Sequence, residues 1–155
     1  MGKSPTAVVR EGLRAFADRQ IFRNFTEASG KNGTIRFTFL YLTDRPMTIE
    51  FTEHAHALVI RDMLPRVPPG LYADLQAFLA ALSDPRLPPY RRIDNRSADA
   101  RLVRKRGHVS LVFQVRGNRY TYGVEKLVNL ASWIWTYLQA RHQVYLWEVM
   151  GEPQD

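Results

Sequence analysis

The chain has 155 residues, 45% hydrophobic and 24% charged, with 22 Lys plus Arg against 15 Asp plus Glu and a formal net charge of +7. These proportions belong to an ordinary globular domain and exclude a disordered, collagenous or coiled-coil chain. The absence of cysteine removes disulfides, thiol chemistry, iron–sulfur clusters and cysteine-containing zinc sites, and fits a reducing compartment. No stretch approaches the ~18 apolar residues of a membrane span, and Met1-Gly2-Lys3-Ser4-Pro5 lacks the apolar core of a signal peptide. The expectation is a cytoplasmic protein with a single α+β domain over residues 1–155.

In chain order, Val9, Leu13, Phe16 and Ala17 recur at helical spacing between Ser4 and Gln20. Ser4 can act as N-cap and Pro5 is preset for the first turn. Ile21 to Glu27 reads as a strand, and Ala28 to Gly33 as a turn rich in residues that tolerate positive φ. Ile35, Phe37, Phe39 and Tyr41 alternate with Arg36, Thr38, Leu40 and Leu42, which predicts a strand over Thr34–Leu42 with four large groups on one face. A turn at Thr43-Asp44-Arg45-Pro46 precedes a second alternation, Met47, Ile49 and Phe51, and Ala57 to Met63 adds a further short strand.

Pro65, Pro68, Pro69 and Gly70 end that strand system. Leu71, Leu75, Phe78, Leu79 and Leu82 then predict an amphipathic helix that stops at Ser83-Asp84-Pro85. The Pro- and Arg-rich stretch 86–98 has no periodicity and reads as a basic surface loop, with a strand beginning within Arg101 to Lys105. Val109 to Val115 alternates as a strand. The Gly117-Asn118 turn leads to a returning strand, Arg119 to Val124, carrying Tyr120, Tyr122 and Val124. Glu125 to Ala140 is the third helix, with a Leu127-Leu130-Ala131-Ile134-Leu138 stripe and a second apolar face holding Trp133 and Tyr137. Val144 to Val149 reads as a final strand and residues 151–155 as a fraying tail.

Glu53-His54-Ala55-His56 is the one local cluster of metal-ligand type. If extended, its histidines share a face, but two histidines do not make a site, and the expectation is a solvated strand end without metal. No phosphate loop, GxSxG elbow, HExxH helix or paired carboxylates appear, so the expectation is a protein that is not an enzyme and carries no cofactor.

The charge is unevenly spread. Arg86 to Arg106 holds eight basic residues, Arg86, Arg91, Arg92, Arg96, Arg101, Arg104, Lys105 and Arg106, against two acidic ones, a local balance of +6. Fork-shaped guanidinium groups suit carboxylate or phosphate partners. Arginine outnumbers lysine 18 to 4 throughout, so a solvated loop, an acidic protein partner and nucleic acid all remain open. Against nucleic acid, the chain shows no zinc finger or RNP-like run, and the basic segment has Tyr90 as its one aromatic. Trp133 and Tyr137, at i and i+4 and away from the main stripe, need a cover that a second copy or a client could give.

Helix, antiparallel strands, helix, hairpin, helix is the order that resembles type III secretion chaperones and the related YbjN family. The carriers are Val9-Leu13-Phe16, Thr34 to Phe51, Leu71 to Leu82 and, above all, Val109 to Leu138 with its strand, Gly117-Asn118 turn, strand and long helix. The resemblance implies an antiparallel sheet packed with three helices and a homodimer that binds a protein client on hydrophobic surface; it transfers no catalytic residue. The chain departs from secretion chaperones in being basic and in the expected strand after helix three. The resulting expectation is a chaperone-like module that binds a protein client through an acidic segment, with a DNA- or RNA-associated accessory factor as the alternative.

Overall fold

The computed structural model describes residues 3–152. Helix α1 (Pro5–Asp18) starts where the Ser4 hydroxyl accepts the Ala7 amide at 3.1 Å, with Pro in the first turn, and it buries Val9 and Leu13. Four strands follow as a meander: β1 (Arg23–Ser29), β2 (Thr34–Leu40), β3 (Pro46–Thr52) and β4 (Ala57–Leu64). Asn32 and Gly33 take positive φ in the β1–β2 turn, as their residue types allow. Helix α2 (Pro69–Ala81), strands β5 (Ala98–Lys105) and β6 (His108–Val115), and helices α3 (Tyr120–Arg141) and α4 (Gln143–Glu148) complete the chain.

The six strands form one antiparallel sheet in the order β1-β2-β3-β4-β6-β5. Phe37, Phe39, Ile49, Phe51, Leu58, Ile60, Leu111 and Phe113 are all almost fully buried and belong to one apolar cluster with Val9, Leu13, Val124, Leu127, Ile134 and Leu138 of the helices. Strand alternation therefore sends the large apolar groups to a helix-covered face. The opposite face carries Arg36, Thr38, Thr48, Glu50, Val59, Val112, Arg101 and Val103. This is an α+β fold with an antiparallel sheet.

Two expected strands differ. Arg119–Val124 is not a returning strand: helix α3 begins at Tyr120, and β6 pairs instead with β5 through the Arg106-Gly107 turn, where both residues have positive φ. Tyr120, Val124 and Leu127, spaced by four and three, are all buried on one helix face, so a helical period runs under what looks like aromatic alternation. Burial of that face outweighs the strand propensity of Tyr-Thr-Tyr. Val144–Val149 is likewise not a strand but mostly the short helix α4, which buries Tyr145 and Leu146. The helices thus number four rather than three among the described residues.

The expected loop 86–98 is held closely. It contains a 3-10 turn at Pro89–Arg91, buries Ile93 and Ser97, and ends in buried Ala98, already part of β5. Of the expected tail, Glu152 donates its amide to Leu146 O at 3.0 Å, while 153–155 lie outside the described residues.

Candidate partner-binding groove

The eight basic residues of Arg86–Arg106 do not form one patch. Arg86 makes a forked contact with Asp84 at 2.8–3.1 Å, and Arg96 lies 3.6 Å from Asp94. Arg92 Nη1 donates to Pro85 O at 2.9 Å and lies 3.5 Å from Leu87 O; Arg104 Nε donates to Val67 O at 2.9 Å. Arg101 and Lys105 project from the helix-free side of edge strand β5, and Arg106 occupies the hairpin turn. The +6 is thereby split between local ion pairs, backbone ties and separate surfaces.

These roles separate by mutation. Arg92→Ala removes a donor from the exposed Pro85 and half-buried Leu87 carbonyls and is expected to cost about 1 kcal/mol, the usual size of a net hydrogen bond. Arg86→Ala and Arg96→Ala, whose side chains are 89% and 93% exposed, are expected to leave the urea midpoint unchanged, because solvent and salt screen such pairs. Urea unfolding of the three variants checks the contrast.

Arg91 has a different setting. It is exposed, makes no ion pair among the described residues, and lines a groove of about 270 Å³ with Phe78 and Leu82 of α2 and Trp133, Thr136, Tyr137 and Ala140 of α3. The structure therefore joins three of the sequence-proposed residues, Arg91, Trp133 and Tyr137, at one place. It also corrects their assumed surroundings: Tyr137 stacks on Phe78 with ring centroids 4.4 Å apart, so α2 supplies part of the cover expected from a partner.

The groove floor is fixed by polar ties. Asp74 on α2 is paired with His142 Nε2 at 2.6 Å, and the Tyr137 hydroxyl also acts on the Asp74 carboxylate. The Tyr137 hydroxyl first and then the His142 ring hold the Asp74 carboxyl below the usual range for Asp, and the Asp74 carboxylate in turn raises the Tyr137 hydroxyl. A carboxyl lowered by folding adds stability above its unfolded pKa, and that stability is lost as pH falls through its folded pKa. Asp74→Asn is accordingly expected to flatten the stability profile on the acid side of about pH 4, as measured by urea unfolding across pH.

Next to the groove, behind Trp133, Lys126 is 8% exposed, and its Nζ donates to Pro89 O at 2.8 Å. It lies 5.6 Å from the Tyr122 ring centroid and 5.5 Å from that of Trp133. The Tyr122 hydroxyl accepts the Asp94 amide at 2.8 Å, tying the basic loop to α3. Sequence reasoning missed Phe78 and Leu82 as groove residues, and Lys126 as their neighbour behind Trp133. Lys126 had one available signal, a lone lysine four and seven residues from Tyr122 and Trp133.

Glu53-His54-Ala55-His56 is not extended. Glu53–Ala55 is a 3-10 turn, His56 has φ 53°, and its Nδ1 lies 2.6 Å from the Tyr120 hydroxyl. The Glu53 carboxylate accepts from the Thr6 amide and hydroxyl at 3.3 and 3.1 Å, in the first turn of α1 where a negative charge is favoured. The cluster thus serves as a joint between β3, α1 and α3. Comparison of the chain with protein-family models, curated proteins and solved structures gives no match in any of the three.

Proposed function

We propose that this protein is a non-catalytic, chaperone-like binding module that takes up an apolar segment of a protein client in the α2–α3 groove. The observation that carries this reading is the groove itself: Phe78, Leu82, Trp133 and Tyr137 present aromatic and aliphatic surface to solvent, with an unpaired arginine at the rim. Aromatic anchors flanked by arginine are the composition of interface hot spots. The resemblance to type III secretion chaperones and the YbjN family belongs to the same proposal. It rests on element order and the antiparallel sheet; within Val109 to Leu138, its most specific carrier, the strand and the long helix are present and the returning strand Arg119–Val124 is not.

A photo-crosslinking residue at exposed Thr136 tests the reading in extract from the native cell. The expected result is a discrete protein adduct that Trp133→Glu abolishes; adducts unchanged by Trp133→Glu would remove the groove as the binding site. Homodimerisation is part of the proposal, supported by the long exposed edge strand β1, which offers unpaired backbone groups to a second copy. Light scattering at micromolar concentration measures it, and a strict monomer would dismiss it.

Nucleic-acid binding has less support. The basic groups are divided among surfaces, and the strand phenylalanines all belong to the helix-covered core, leaving the helix-free face without the aromatic platforms that single strands use. A salt-titrated gel shift distinguishes the two, since phosphate contacts weaken steeply with salt.

A further inference from the structure

Lys126 is a buried cation in an unusual position. An ammonium has three N–H donors, and among the described residues one of them reaches a protein acceptor, Pro89 O. Among those residues no carboxylate pairs with it. Burying an ammonium without an opposite charge is costly, and the aromatic faces of Tyr122 and Trp133 offset only part of that cost.

The neighbouring charges add to it. Burial and then the nearby Arg92 guanidinium lower the Lys126 ammonium below the ordinary lysine range, against a smaller upward pull from Glu125. Arg91 follows two residues after Pro89 and meets Trp133 in the groove. Three cations thus gather about the Pro89 turn, none of them in an ion pair among the described residues, with Arg92 committed to backbone carbonyls. Like charges held together around unused donors form the electrostatic complement of an anion.

We propose that Lys126 and Arg91, with Arg92 behind them, form a subsite for a side-chain carboxylate of the client, so that the groove selects segments in which Asp or Glu adjoins a large apolar residue. This deepens the client-binding reading and rests on it. A peptide fits better than a nucleic acid because a face of Trp133 is engaged by Lys126 and the Tyr137 ring is stacked on Phe78, which limits stacking on bases. The adjoining Phe78, Leu82 and Ala140 surface matches aliphatic or aromatic side chains.

A random-peptide display selection on the immobilised full chain, read by sequencing, tests the specificity. The expected result is enrichment of peptides pairing Asp or Glu with aromatic or aliphatic residues. Lys126→Met and Arg91→Ala are each expected to remove the acidic preference and to weaken a selected peptide at least tenfold. Selected peptides that depend on Trp133 yet show no acidic preference would overturn the carboxylate subsite while sparing the groove; peptides indifferent to Trp133→Glu would instead overturn the groove.

The melting temperature of Lys126→Met separates recognition from a purely structural tie. A subsite lysine predicts a melting temperature equal to or above that of the native chain, because removing an uncompensated buried charge favours folding. A lower melting temperature with undiminished peptide binding would show a lysine that merely fastens the Pro89 turn. Displacement of the peptide by single-stranded DNA or RNA, lost in Lys126→Met, would overturn the peptide assignment in favour of phosphate.

Discussion

Replacing Phe113 with alanine is expected to remove about 3–5 kcal/mol of folding stability, the range for emptying a buried phenylalanine site. Phe113 is fully buried on β6, opposite Leu58 of β4 and Ala100 of β5. The lost ring is flanked by paired strands on both sides, so the backbone has little freedom to close the gap. Against a typical total of about 5–15 kcal/mol, the variant is expected to be partly unfolded at physiological temperature. Urea unfolding followed by circular dichroism measures the effect. Phe113→Leu, which keeps most of the volume, is expected to lose less than half as much, and equal losses would contradict a packing origin.

The second large effect is expected at Gly123, and it comes from adding atoms. A Cβ at this position would stand 2.6 Å from Val115 Cγ2 and 3.8 Å from Leu58 Cδ1, so helix α3 lies directly on β6 and β4 there. Alanine in a helix interior gains about 1 kcal/mol over glycine, whereas overpacking a dense core costs about 1–3 kcal/mol. The contact is with a β-branched residue that is 4% exposed and restricted at χ1, so the steric cost wins.

Gly123→Ala is therefore expected to destabilise modestly, and Gly123→Val, with two more methyl groups, by about 3 kcal/mol. Val115→Ala removes the offending methyl. The double variant Gly123→Ala with Val115→Ala is expected to be more stable than the sum of the single losses implies. A double-mutant cycle from urea midpoints reads that coupling.

Elements whose local pattern agrees with their environment were legible in the sequence. Ser4 and Pro5 mark the start of α1, and the alternation through Ile35, Phe37 and Phe39 marks β2 because one face of that strand meets the core and the other meets solvent. Tyr120–Val124 failed this way of reading: its alternating aromatics suit a strand, while the deciding contacts are with distant β3 and β6, including Phe51 stacked edgewise on Tyr120 at 5.7 Å. Strand β5 was only partly visible because Arg101, Val103 and Lys105 fill its outer side, leaving Ala98, Ala100 and Leu102 as a weak inner signal.

The groove was legible as residue types and not as a place. Trp133 and Tyr137 announced a second apolar helix face, but nothing local to α3 indicates that Phe78 arrives to stack on it. For the arginines, adjacency along the chain was a poor guide to adjacency in space. Asp84 lies just outside the charged segment, so a count over Arg86–Arg106 omitted the partner that Arg86 contacts.

The strand order also bears on how the molecule comes apart. The first four strands join through short turns, whereas β6 pairs with β4 only after the chain has passed through α2, the basic loop and β5. That long closure carries an entropic cost before its contacts form, so β4–β6 pairing is expected late in folding. N-terminal α1 then rests on C-terminal α3, lacing the two halves together a second time. Neither half has a complete core of its own, so loosening this seam releases both, and unfolding is expected to be a single cooperative event.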